Sequence, residues 1–240
     1  MSKAFLKDPM PGTIINPQER HIACILALDV SSSMDGKPIQ ELNQGLRDLD
    51  TSLRSDSEVL ACVDLAIVTF GSKVDPKVYF RPASSFEPPV LKASGVTSMN
   101  EAFCVCLDAI EAQKQAYRDA QTAYSRPIFM PMTDGCPTDD AAFGDEAHSR
   151  MADAIARHKV SYIPVAIGAY ADAEVLKRYY PDKDLQGEPL QKVVLKASKD
   201  AFRDIFQWLS TSISSVAKTT APAGTPVTLP PVPESITISI

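Results

Sequence analysis

The run Ile22-Ala-Cys-Ile-Leu-Ala-Leu-Asp29, continued by Val30-Ser-Ser-Ser33, decides the fold. An unbroken apolar stretch that ends on a carboxylate reads as a strand buried on both faces, as in a parallel sheet covered by helices. The next segment supplies such a helix. After Gly36-Lys37-Pro38, residues Ile39, Leu42, Leu46, Leu49 and Leu53 recur at helical spacing, and Pro38 is tolerated in a first turn.

Further along, Asp64-Leu-Ala-Ile-Val-Thr-Phe70 is a second buried strand and Lys77-Val-Tyr-Phe80 a shorter one. The Gly71–Pro76 turn between them is too short for a parallel crossover, so these two strands pair antiparallel. Arg81 to Val96 is a Pro- and Ser-rich loop, and Ser98-Met-Asn-Glu101 matches a capping box that starts a helix. Phe103, Leu107, Ile110 and Tyr117 give that helix its apolar face, and Pro127–Thr133 is the next buried strand. A helix over 139–159, a strand over 160–168, a short helix after Asp172, a strand over 191–195 and a helix over 200–216 follow. In the last helix Phe202, Ile205, Phe206, Leu209 and Ile213 keep the period, with Trp208 as its anchor. Strands alternating with helices predict a doubly wound, Rossmann-like α/β fold. Its sheet has six mostly parallel strands, with one antiparallel strand near an edge and helices on both faces.

The expected organisation is an N-terminal extension (1–20), one domain (21–217) and a Pro-rich tail (218–240). The tail ends in Ile236-Thr-Ile-Ser-Ile240, an alternation suited either to adding a strand to a sheet edge, here or in a partner, or to a free tail. A formal net charge of −6 and scattered basic residues argue against nucleic acid or anionic membrane as partner. Five cysteines, several inside apolar runs, suit a reducing compartment. Neither a signal peptide nor a membrane span is visible, so the expected location is the cytoplasm. His21, His148 and His158 lack ligand-like spacing, and no Cys-x-x-Cys pair occurs, which leaves little support for zinc.

Ligands of an open α/β sheet bind beyond the carboxyl ends of its strands, at the switch in strand order. Asp29 and Asp134 are both expected at such ends, and Thr97 in a loop just before a helix. With Ser31 and Ser33 they form an all-oxygen set suited to a hard divalent ion: Mg2+ foremost, with Mn2+ or Ca2+ as alternatives. Each motif also has a plainer reading. Asp29 and Ser31 suit a helix cap, Thr97 the shaping of its loop, and Asp134-Gly135 an ordinary turn. Asp139 and Asp140 read as charges at a helix N-terminus, Asp35 as a turn residue, and Cys104 and Cys106 as core packing.

Asp29-x-Ser31-x-Ser33, Thr97 and Thr133-Asp134-Gly135, in that order, resemble the metal-ion-dependent adhesion site of von Willebrand factor A (vWA) domains. Leu28–Ile39, Asn43-Gln-Gly45 and Thr133–Asp139 are further similar to the bacterial tellurium-resistance branch, the TerY-type proteins. One departure is that Gly95 stands two residues before Thr97, where a Gly often precedes the Thr directly. The resemblance implies that Ser31, Ser33 and Thr97 offer hydroxyls to the ion while Asp29 and Asp134 bind it directly or through water. It also implies a vacant position for the Asp or Glu of a protein partner, such as a protein kinase or PP2C-type phosphatase of the same stress system, and no catalysis. The competing class is a Mg2+ phosphohydrolase or phosphotransferase with Asp29 or Asp134 as nucleophile. Against it stand the missing second acid after Asp29, the missing phosphate-binding Gly-rich loop and the missing Gly-x-Ser-x-Gly elbow.

Overall fold

The computed structural model describes residues 13–75, 78–169, 171–218 and 229–240. Residues 1–12 of the N-terminal extension, 219–228 of the tail, and Pro76 and Lys77 of the expected hairpin lie outside the described residues.

Strand β1 (Ile22–Asp29) runs through the middle of the sheet, buried along its whole length. It pairs in parallel with β2 (Val63–Phe70) on one side and β4 (Ile128–Thr133) on the other. Its side chains alternate between two cores, as the pleat requires. Ile22, Cys24, Leu26 and Leu28 join a cluster with helices α1 (Lys37–Arg54) and α6 (Phe202–Ala217). Ala23, Ile25 and Ala27 face α3 (Met99–Asp119) and α4 (Asp145–Ala156). The doubly wound arrangement is therefore the expected one, helices on both faces of a mostly parallel sheet.

The sheet has eight strands among the described residues, not six. The strand expected over 160–168 divides into β5 (Ser161–Tyr162) and β6 (Val165–Ile167), both paired in parallel with β4. Pro164 stands at the break and has no N–H to give to a ladder. The strand expected over 191–195 is β7 (Val194–Ala197), and the tail adds β8 (Ile236–Ser239) antiparallel to it. Both edges are thus antiparallel, since β3 (Arg81–Pro82) pairs antiparallel with β2 at the far side. That strand lies at Arg81–Pro82 rather than at 77–80, and Pro82 ends its ladder for the same reason as Pro164. A short helix α2 (Ser57–Cys62), capped by Asp56, was not expected; α5 (Ala173–Lys177) follows Asp172 as expected.

Neighbouring strands run in the order β3-β2-β1-β4-β6-β7-β8. The chain builds outward from β1 to β3, then returns past β1 to start β4. This reversal opens a crevice between the carboxyl ends of β1 and β4, where the candidate residues lie. Among the described residues no helix is long and apolar enough to cross a membrane.

Candidate metal centre

With Leu28 opposite Met132 in the β1–β4 ladder, the two chains leave the sheet side by side at Asp29 and Thr133. Asp29 is fully buried, and both its oxygens are engaged. Oδ1 accepts the Ser31 N–H at 2.8 Å, which bends the chain after the strand, and Oδ2 accepts the Thr133 hydroxyl at 2.6 Å. Burial pushes the Asp29 carboxyl above its ordinary range. The bonds from Ser31 and Thr133 oppose that rise, and the neighbouring charge of Asp134 adds to it.

A single 3-10 turn, Ser32–Met34, then folds the serines back, held by the Met34 N–H on the Ser31 carbonyl and by the buried Met34 side chain. Ser31 Oγ and Ser33 Oγ come to 2.9 Å, and Ser33 Oγ donates to Asp134 Oδ1 at 2.6 Å. Because Ser33 gives its proton to the carboxylate, Ser31 is the donor in the serine pair. Thr133, Asp29, Ser31, Ser33 and Asp134 thereby form one unbroken chain of hydrogen bonds.

Thr97 arrives from a loop stitched to the same edge. Ser94 N–H donates to the Val30 carbonyl at 2.7 Å, and both the N–H and the hydroxyl of Ser32 donate to the Gly95 carbonyl at 3.0 Å. Gly95 takes φ +81°, and a β-carbon there would stand 1.8 Å from Ser72 Oγ, so this sharp turn admits no side chain. Thr97 is buried, donates its N–H to the Thr138 hydroxyl at 3.2 Å and accepts the Thr138 N–H on its carbonyl at 2.9 Å, and has its hydroxyl beside Gly135, 3.7 Å from where a β-carbon would lie.

The five expected residues therefore meet at one end of the sheet, four in the bonded chain and Thr97 at its flank. Asp139 and Asp140 stand outside that chain. Asp139 caps a helix, though not the one that follows it. Its carboxylate accepts the N–H groups of Asn100 at 3.2 Å and Glu101 at 2.9 Å, at the start of α3. The Ser98 side chain makes no capping bond, so the Ser98–Glu101 capping box is replaced by this tertiary cap. Asn100 also bonds Asp140 and accepts from Tyr179, which ties the loop after β4 to α3. Cys104 and Cys106 are both buried in the α3 core.

Sequence reasoning missed Lys199. From the loop between β7 and α6, its ammonium donates to Asp134 Oδ2 at 2.5 Å and to the Ser33 carbonyl at 3.1 Å. Nothing in Ser198-Lys199-Asp200 distinguishes it from any loop before a helix.

Among the described residues, no group of three or more His, Cys, Asp or Glu side chains is arranged to hold a metal, so the two carboxylates here would have to be supplemented by other oxygens such as the hydroxyls beside them. The donor set fits a hard ion. Neighbouring ligands of an octahedron with bonds near 2.0–2.1 Å lie about 2.9 Å apart, the separation of the two serine hydroxyls.

No model of a known protein family matches the sequence, and no curated protein matches it. Solved structures do. Proximal thread matrix protein 1 from the mussel byssus superposes with a TM-score of 0.51 at 17% identity, over 82% of this chain and 48% of that one. The open conformation of the pilus adhesin SpaC from Lactobacillus rhamnosus GG gives 0.59 at 11% identity, over 81% of this chain and 30% of that one. This chain thus spans about half the length of the mussel protein and under a third of the adhesin. At such identities the likeness is one of fold alone, the doubly wound, Rossmann-like α/β arrangement described above.

Proposed function

We propose that this chain is a metal-dependent protein-interaction module and not an enzyme. Residues 21–217 form the recognition domain. Ser31, Ser33 and Thr97 offer hydroxyl oxygens to a divalent ion, Mg2+ foremost, while Asp29 and Asp134 balance its charge and orient the hydroxyls. A bound ion supplies one open coordination position for an Asp or Glu side chain of a partner. The observation that carries this reading is the continuous chain from Thr133 through Asp29, Ser31 and Ser33 to Asp134 at the switch point of the sheet. The hydroxyls of Ser31 and Ser33 are already spaced as neighbouring ligands, which lowers the rearrangement needed to coordinate an ion.

The likeness of Leu28–Ile39 and Thr133–Asp139 to TerY-type sequences supports a place in the cytosol of a bacterium. There the chain would bind a kinase or PP2C-type phosphatase of a tellurium-resistance stress response. Phosphoryl chemistry is the weaker reading. Asp29 is fully buried with both oxygens taken, and the Asp134 side chain is only 4% exposed, so neither carboxylate is free to attack a phosphoryl group.

The test mixes the purified chain with the phosphatase and kinase of its own system, in Mg2+ or in chelator. Capture that requires Mg2+ and is lost in Ser31→Ala, Ser33→Ala and Asp134→Ala, with no phosphate released or incorporated, is the expected result. Phosphate release abolished by Asp29→Asn would favour the enzyme.

A further inference from the structure

The contact between Lys199 and Asp134 has no part in the ligand set above, yet it is carefully housed. The Asp134 side chain is 4% exposed and the Lys199 side chain 38%, so a nearly dry carboxylate is met by a cation reaching in from solvent. The lysine stem passes across Gly168, where a β-carbon would stand 3.0 Å from its Cε and 3.2 Å from its Cγ. Gly168 itself is held to β7 by its N–H on the Ala197 carbonyl at 2.7 Å. On the other flank Asp200, next to the lysine in sequence, pairs at the surface with Lys37 at the start of α1. A side chain at position 168 would press on this stem and force it to shift by a few tenths of an ångström.

We infer that Lys199 is the resident counter-cation of the metal-free centre, and that a divalent ion enters by displacing its ammonium from Asp134. This rests on the metal-binding reading. The charges make the case. Asp29 and Asp134 carry two negative charges when ionised. A divalent ion neutralises them alone, whereas ion and ammonium together leave a surplus positive charge in a partly buried site. Ammonium and metal therefore compete for Asp134. A lysine on a flexible stem, already more than a third exposed, can return to water at small cost. The lysine thus sets a threshold: it keeps Asp134 paired and the serine turn in place when metal is scarce, and weakens metal affinity by the work of its own displacement.

The experiment is a Mn2+ titration, by the electron paramagnetic resonance signal of free Mn2+, of the full chain and of Lys199→Met and Lys199→Arg. Thermal unfolding of each is recorded in chelator. Lys199→Met should bind Mn2+ roughly tenfold or more tightly than the parent, with a lower melting temperature in chelator that Mn2+ restores. Lys199→Arg, which keeps the charge, should bind no more tightly than the parent. Equal or weaker binding by Lys199→Met, beside a parent that binds, would overturn the role of the lysine and leave the metal site standing. Absence of Mn2+ uptake by all three would sink both.

Discussion

Ser33 is the residue on which the candidate centre turns, because it joins the first motif to Asp134 and is itself exposed. Ser33→Ala should cut Mn2+ affinity at least tenfold, the usual scale for a lost ligand or its support. Its melting temperature in chelator should stay close to that of the parent, since Ser33 is exposed and Lys199 still pairs the Asp134 carboxylate. Calorimetric titration with unfolding scans checks both. At the opposite end of β1, His21 Nδ1 lies 2.7 Å from Asp64, which also accepts the Tyr117 hydroxyl at 2.6 Å, all buried. Burial pulls the imidazole down, but the bond and charge of Asp64 outweigh it and the net shift is upward from 6.5. The folded chain thus holds this proton more tightly than the unfolded one. Its contribution to stability is complete below pH 6.5 and fades as pH rises through the folded value. Urea midpoints should fall over that range. His21→Leu should abolish this slope and cost about 3–5 kcal/mol by leaving Asp64 buried without its imidazole partner, with only the Tyr117 hydroxyl still bonded to it. Asp29, Ser31, Ser33 and Asp134 were legible because each is tied to a strand end, and strand ends are what apolar runs reveal. Lys199 was not, since its position depends on β6 and β7 pairing and on the room left by Gly168.

Among the elements, the last strand shows where pattern reading stops. The alternation of Ile236–Ile240 allows a strand without naming its partner, and the choice is made by packing. Ile236 is buried, Ser235 bonds Asp204 on α6, and Trp208 donates its indole N–H to the Pro230 carbonyl at 3.0 Å. The expected anchor of the last helix is therefore also the clasp of the tail. Trp208→Ala should cost about 3–5 kcal/mol, as for other large buried aromatics, and expose the β8 amides to hydrogen exchange. Trp208→Phe, which keeps the bulk and loses the N–H, should cost less but still speed exchange in β8. Removal of 229–240 should bare the β7 edge and promote association, measurable by light scattering. The cap of α3 carries a similar lesson. A capping box at Ser98–Glu101 correctly locates the helix start, yet Asp139, distant in sequence, supplies the bonds. Local sequence marks where N–H groups go unpaired, and the fold decides what pairs them.

At the scale of the whole molecule, the interior place of the first strand was foreseeable from its burial on both faces, and the structure sets β4 beside it, which brings Asp29 and Asp134 together. The strand count was not, because two-residue strands such as β3 and β5 carry no periodicity to read. An ion bound only by the folded chain stabilises it by about 2.7 kcal/mol at a hundred times its dissociation constant. Saturating Mg2+ or Mn2+ should therefore raise the melting temperature of the parent and leave that of Asp134→Ala unchanged. The most direct measurement of the central claim is anomalous diffraction from a crystal soaked in Mn2+. A single strong peak is expected within about 2.0–2.3 Å of Ser31 Oγ and Ser33 Oγ, with Thr97 and both aspartates around it. No peak at that end of the sheet, or one held by other side chains, would contradict it.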